Sequence, residues 1–150
     1  MTALVLSSCA PAHRVVDAPF VPYVERFDAL AATTLTEPLK TLPLRIYFGA
    51  VKTESTIGEC WHDDEVRDIV VNEALWGELE ELEREEFIFH ELGHCLLGRP
   101  HILTRIVMAG QNIPESIMHP HVFDGALYGA YREYYIRELF LHIPKSAHAD

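Results

Sequence analysis

His90-Glu91-Leu92-Gly93-His94 sets two imidazoles four residues apart, with a carboxylate directly after the first. On an α-helix such residues lie one above the other on one face, so both rings can converge on a single ion. Glu91 then sits where it can act as a base toward that ion without ligating it. Gly98 can take the positive φ that ends a helix, which lets the chain bring back His101 as a third ligand. Three protein ligands leave one corner of a tetrahedral zinc ion open to water, the arrangement of a catalytic rather than a structural site. A bare His-Glu-x-x-His arises by accident on amphipathic helices; the helix-ending glycine and the third histidine are what distinguish this one.

The element that must carry the pair is a helix over 78–97, with Leu79, Leu82, Phe89, Gly93 and Leu96 or Leu97 on a buried stripe. Its acidic start (Glu78, Glu80, Glu81, Glu83, Glu85, Glu86) complements the helix dipole and reads as a solvated face rather than a calcium or basic-partner surface. Phe87, Ile88 and Phe89 surround the first ligand with apolar atoms. Upstream, Val24, Phe27, Leu30 and Ala31 predict an amphipathic helix over 23–35, and strands are expected over 44–48, 56–61 and 66–71. Gly58 and polar alternation mark the second strand as an edge. Trp76 is expected to pack under the long helix. His62-Asp63-Asp64 reads as turn chemistry, since adjacent side chains in a turn rarely converge on one ion. Residues 101–111 read as an irregular, partly apolar pocket wall. A last helix is expected over 122–142, through Leu127, Tyr131, Tyr134 or Tyr135, Glu138 and Leu139, with Pro144 ending it.

These elements imply an α+β domain over 22–143: a short twisted sheet, a backing helix, an active-site helix and a C-terminal helix. Residues 1–21 read as a tether and 144–150 as a loose tail. The chain has 150 residues, 49% of them hydrophobic and 23% charged, enough for one globular core. Its net charge of −11 and the lack of any Lys/Arg cluster argue against nucleic acid, whose phosphates need neutralising, and against electrostatic docking on anionic lipid. No run of 18 apolar residues suits a transmembrane helix. His13, His142 and His148 lie in terminal, polar surroundings and read as solvated.

Leu4-Val5-Leu6-Ser7-Ser8-Cys9 resembles the lipobox of bacterial lipoproteins, which implies export to the cell envelope or beyond and a lipid anchor on Cys9. The apolar run is shorter than a signal peptide's and has no basic start. An exported chain could pair the remaining Cys60 and Cys95; the alternative is a buried free thiol at Cys95, which points about 100° around the helix from His94.

Ser116-Ile117-Met118-His119-Pro120 follows His101 closely. Taken with the first motif, it resembles the metzincin clan of zinc endopeptidases, in which a His-Glu-x-x-His-x-x-Gly-x-x-His stretch precedes a tight methionine turn of matrixin-like form. The resemblance covers roughly residues 44–142 and implies Met118 as an apolar floor beneath the three imidazoles. Met108 competes for that role but lacks the turn pattern. Gly98 and His101 stand four and seven residues after His94, one more each than in the family, while the Gly-x-x-His spacing is kept. Pro120 stands where some members carry a tyrosine near the metal, and Tyr128, Tyr131, Tyr134 and Tyr135 read as core. His119 and His121 flank the turn and could line the site.

The implied activity is hydrolysis of a peptide or protein substrate, with zinc on His90, His94 and His101 and with Glu91 as general base. The substrate is expected to lie along the edge strand at 56–61. Two alternatives stay open. One is a zinc peptidase whose third ligand is a later glutamate, Glu133 or Glu138; the other is a non-catalytic zinc-binding surface lipoprotein.

Overall fold

The structure, a computed structural model, describes residues 13–36, 39, 42–63 and 65–141. Cys9 with its lipobox-like run, Asp64, His142, Pro144, His148 and the tail lie outside them. In chain order the elements are β1 (Arg14–Val16), α1 (Val21–Thr34), β2 (Leu44–Phe48), β3 (Gly58–His62), β4 (Arg67–Val71), α2 (Glu73–Glu78), α3 (Glu81–Leu97), β5 (Arg105–Met108), β6 (Gln111–Pro114) and α4 (Gly125–Leu141). The class is α+β, as expected.

β4 is an interior strand whose Ile69, Val70 and Val71 are all buried, the run of a strand covered on both faces. It pairs in parallel with β2 and antiparallel with β3, and β1 adds in parallel to β2, giving the order β1-β2-β4-β3. β3 is thus an edge strand. β2 alternates, sending Leu44 and Ile46 inward and Arg45 outward. The domain begins earlier than residue 22. Three residues expected in the tether form β1, and Arg14 anchors them by donating to Asp28 of α1 (2.8 Å) and to the Leu42 carbonyl (3.2 Å). So short a strand, held by a distant ion pair, has no periodicity to betray it.

The helix expected over 78–97 starts at Glu81, and Glu78 instead ends a separate short helix, α2. Leu79 and Glu80 are extended, and a capping box between Glu80 and Glu83 starts α3 afresh, while Asn72 caps α2 by accepting from the Ala74 and Leu75 amides. The Glu80–Glu83 box satisfies amides that a continuous helix would have bonded internally, so the break costs little.

α3 runs through the middle of the domain, with the sheet against one side and α1 and α4 against others. Phe27 of α1 meets Phe89 of α3 edge-on (5.3 Å between centroids) and Phe140 of α4 (5.0 Å). Trp76 packs under α3 against Phe20 and Phe87. This position overturns the solvated-face reading for the end of the acidic run, because Glu85 and Glu86 are buried. Glu85 is satisfied by Arg26 of α1 and by Arg132 and Tyr128 of α4.

Residues 101–111 are not irregular throughout. β5 and β6 form a hairpin whose turn puts Ala109 (φ 50°) and Gly110 (φ 81°) in the left-handed region, and Ile106 faces Ile113 across it. α4 begins at Gly125, capped by Asp124, and is kinked at Tyr131. Among the described residues no helix is long and apolar enough to cross a membrane.

Candidate metal centre

α3 presents His90 and His94 on one face, and its last turn delivers the third ring. Gly98 takes the left-handed conformation (φ 63°, ψ 24°); its amide donates to the His94 carbonyl (3.2 Å) and that of Arg99 to Gly93 (3.0 Å). The reversed chain brings His101 back over the helix. The Nε2 atoms of His90 and His94 lie 3.0 Å apart, those of His90 and His101 3.2 Å, and one nitrogen from each of the three rings falls within 4.8 Å of the others. Two nitrogens at about 2.0–2.1 Å from a tetrahedral ion stand about 3.3 Å from each other. The spacing fits a single ion.

The hydrogen bonds on the far side of the rings fix which nitrogen is free. His90 Nδ1 donates to the Ile117 carbonyl (2.8 Å) and His94 Nδ1 to the Arg99 carbonyl (2.6 Å). A carbonyl can only accept, so each ring keeps its proton on Nδ1 and turns a bare Nε2 lone pair toward its neighbours. Burial holds His90 down to about 3, with the neighbouring rings pushing the same way, and burial likewise lowers His94 and His101. Three imidazoles so disposed could hold a metal ion.

Glu91 is buried beside them. Burial pushes its carboxyl up to about 8; the charge of Glu59 adds to this, and hydrogen bonding to the Cys60 backbone opposes it. Two cavities meet along Glu91 and His90, sharing Thr56, Gly58 and Pro120 as walls. One, of about 440 Å³, contains His94, His101 and His62; the other, of about 410 Å³, extends to Glu86, His119 and His121. Gly58 brings β3 close to α3, since a Cβ there would stand 2.6 Å from Phe87 Cζ and 2.7 Å from the Val70 carbonyl oxygen. The disulfide Cys60–Cys95, with Cα atoms 5.7 Å apart, ties the same strand to α3.

Met118 lies under the helix. It is fully buried, and a Cβ on Gly93 would meet its Sδ at 2.5 Å. Its carbonyl accepts from the Ile102 amide (3.0 Å), next to the third histidine, and its amide donates to Ser116 Oγ (3.0 Å). Met108 sits away on β5, where its carbonyl accepts from Tyr131. Tyr128 and Tyr135 are core, and Tyr134 donates to the Glu115 carbonyl. Asp63 caps its own turn through the Glu65 and Val66 amides. Neither glutamate alternative joins the rings: Glu133 is exposed beside Arg137, and Glu138 is bound to Arg99 and Ser116.

Three contributors were not legible beforehand. Arg99 and Glu138 are hydrophilic types that the fold buries as a pair. Glu86 lies four residues before His90 on the same face of the helix, but its charge alone reads as solvated. No protein-family profile, curated protein or solved structure matches the chain.

Proposed function

We propose that the chain is a zinc-dependent endopeptidase of metzincin type. The observation that carries this reading is the convergence of three neutral Nε2 atoms with a buried carboxyl group in the same cleft. Three imidazoles suit zinc among the common metals, and Met118 beneath Gly93 supplies the apolar floor that the methionine turn implies. When bound, zinc would supply Lewis acidity and bring a water in its remaining position to a pKa of about 7.

The residues divide the remaining work. Glu91 takes the proton from the attacking water and returns it to the leaving amine. A cation among the imidazoles favours the charged form of Glu91, reversing the effect of burial. β3 offers an unpaired strand edge beside Glu91, along which an extended peptide can add by backbone hydrogen bonds. The disulfide fits an oxidising compartment and hence an exported chain, with Cys9 as the lipid attachment point. The engagement of Glu138 leaves the glutamate-liganded alternative without support.

Elemental analysis of the purified protein, with digestion of an unbiased peptide library in the presence and absence of chelator, tests the reading. Glu91→Ala should keep stoichiometric zinc and lose about 10²–10⁴-fold in turnover. Undiminished cleavage by that variant overturns the base assignment, and failure to take up zinc overturns the centre. Zinc uptake with no cleavage of any peptide leaves the non-catalytic reading.

A further inference from the structure

The cavity reaching from Glu91 to Glu86 has a chemical character of its own. Its volume, about 410 Å³, lies within the range of about 300–1,000 Å³ usual for ligand sites. Glu86 is 1% exposed; the Phe123 backbone N–H acts on its carboxyl group, but neither oxygen has a hydrogen-bonding partner at bonding distance. Its neighbour Glu85, equally buried, has three. His119, which also lines the cavity, has a buried Nδ1 without a partner at bonding distance, although the His121 backbone acts on the ring. Buried polar groups are nearly always satisfied, so two such groups lining one cavity mark a place where a ligand completes the bonding. No lysine or arginine lines the cavity, and the charges acting on Glu86 are those of Glu83 and Glu91. Phe87, Ile57 and Val122 give the walls an apolar part.

We propose that this cavity is a specificity pocket and that Glu86 at its wall receives a basic side chain, lysine or arginine, from the substrate residue adjoining the scissile bond. The proposal rests on the peptidase reading above. The occupant's aliphatic stem lies against the apolar wall and its charged head reaches the carboxylate, the division of surface that long basic side chains favour. Burial favours the protonated form of Glu86, and an arriving cation favours the ionised one; a guanidinium or ammonium group supplies only donors, which is what the resulting acceptor-only carboxylate lacks. The surplus of acidic groups in the cavity and the chain's net charge of −11 act in the same direction.

Two measurements test it separately from the peptidase reading. In the zinc-loaded protein, peptides differing only at the residues flanking the cut should show kcat/KM on the order of 100-fold higher for lysine or arginine than for norleucine at one flanking position. In Glu86→Gln that ratio should collapse to within a few-fold. In the metal-free protein, n-butylguanidine should shift the backbone amide resonances of residues 86, 87, 119, 121 and 122, should bind at least about tenfold more tightly than the neutral n-butylurea, and should lose that advantage in Glu86→Gln. Cleavage that is indifferent to flanking charge overturns the pocket while leaving the peptidase. Absence of cleavage overturns the peptidase, and the butylguanidine binding then decides the pocket alone. Equal binding of the two probes, or shifts elsewhere, overturns it. Both comparisons stand on the wild-type protein should Glu86→Gln fail to fold.

Discussion

The guanidinium of Arg99 is buried against the carboxylate of Glu138, and this pair couples the turn that follows α3 to α4. Arg99 also donates to the Glu138 and Leu139 carbonyls (3.1 and 2.9 Å) and accepts from His94 Nδ1 through its own carbonyl, while Glu138 accepts from Ser116 in the methionine turn (2.7 Å). One carboxylate therefore positions a backbone that orients an imidazole. Removing it strands a buried cation, so Glu138→Ala should lose about 3–5 kcal/mol of stability in denaturant titration. Because the partner of a ligand ring shifts with Arg99, zinc affinity should also fall about 10–100-fold. A variant that is destabilised but binds zinc as tightly as the wild type would confine Glu138 to holding α4.

Gly93 and Met118 make a second prediction. Gly→Ala inside a helix is normally favourable by about 1 kcal/mol. Here the new methyl would meet Met118 Sδ at 2.5 Å and Leu139 Cδ1 at 3.1 Å, and Met118 cannot retreat because it is fully buried in a hydrogen-bonded turn. Overpacking of this kind costs about 1–3 kcal/mol, so Gly93→Ala should lose the usual gain and be net destabilising by up to about 2 kcal/mol. Gly77→Ala in α2, where a Cβ meets nothing within 4 Å, should be neutral or stabilising. Trimming the methionine in Gly93→Ala/Met118→Ala should restore part of the loss relative to Met118→Ala alone. Identical thermal shifts for the two glycine variants would show that no contact is involved.

Much of this was readable because local chemistry and tertiary position agree where the chemistry is. His90, His94 and Gly98 are fixed by helix periodicity and a helix stop, both short-range rules, and the structure brings these residues and His101 together. The strand at 44–48 was visible through partial alternation and β-forming residues and that at 66–71 through its β-branched run, whereas β1 depends on an ion pair to Asp28 that no window of sequence contains. Charge predicts exposure only until other elements cover the face: α1 and α4 cover Glu85, and the segments at 55–58 and 119–123 close over Glu86. The β5–β6 hairpin was hidden because its turn uses Ala109 before Gly110 rather than a common turn pair.

The disulfide leads to a third prediction. Cys60 belongs to the strand whose backbone meets Glu91, and Cys95 lies one helical turn beyond Glu91 on the same face of α3. Closing a loop with a sequence separation of 35 stabilises by about 3–4 kcal/mol in the chain-entropy account. Cys60→Ala/Cys95→Ala should therefore unfold at lower denaturant by that amount. If Glu91 is the base proposed above, the double variant should also lose turnover more than zinc, because the Cys60 backbone is what meets Glu91. Equal losses of zinc and turnover would place the effect of the bond on the whole domain instead.

Glu86 gives the fold a pH signature that the metal-free protein should display. Burial holds its carboxyl well above the ordinary value of 4.5, with Glu91 and Glu83 pushing in the same direction. The folded chain then keeps a proton that the unfolded chain releases as the pH passes 4.5. Stabilisation from a raised pKa is complete below the unfolded value and is lost as the pH climbs through the folded one. His90 runs the other way: with its pKa lowered from 6.5 to about 3, its contribution is lost as the pH falls across that interval. The two windows overlap, so total stability would blur them, and Glu86→Gln separates them because the amide stays neutral throughout. The unfolding free energy of the wild type minus that of Glu86→Gln, followed by denaturant titration in chelator, should be level below pH 4.5 and decline steadily above it. A difference that stays flat from about pH 4 to about pH 9 would mean that this carboxyl ionises as readily in the folded chain as in the unfolded one, and that solvent or a hidden partner already satisfies it.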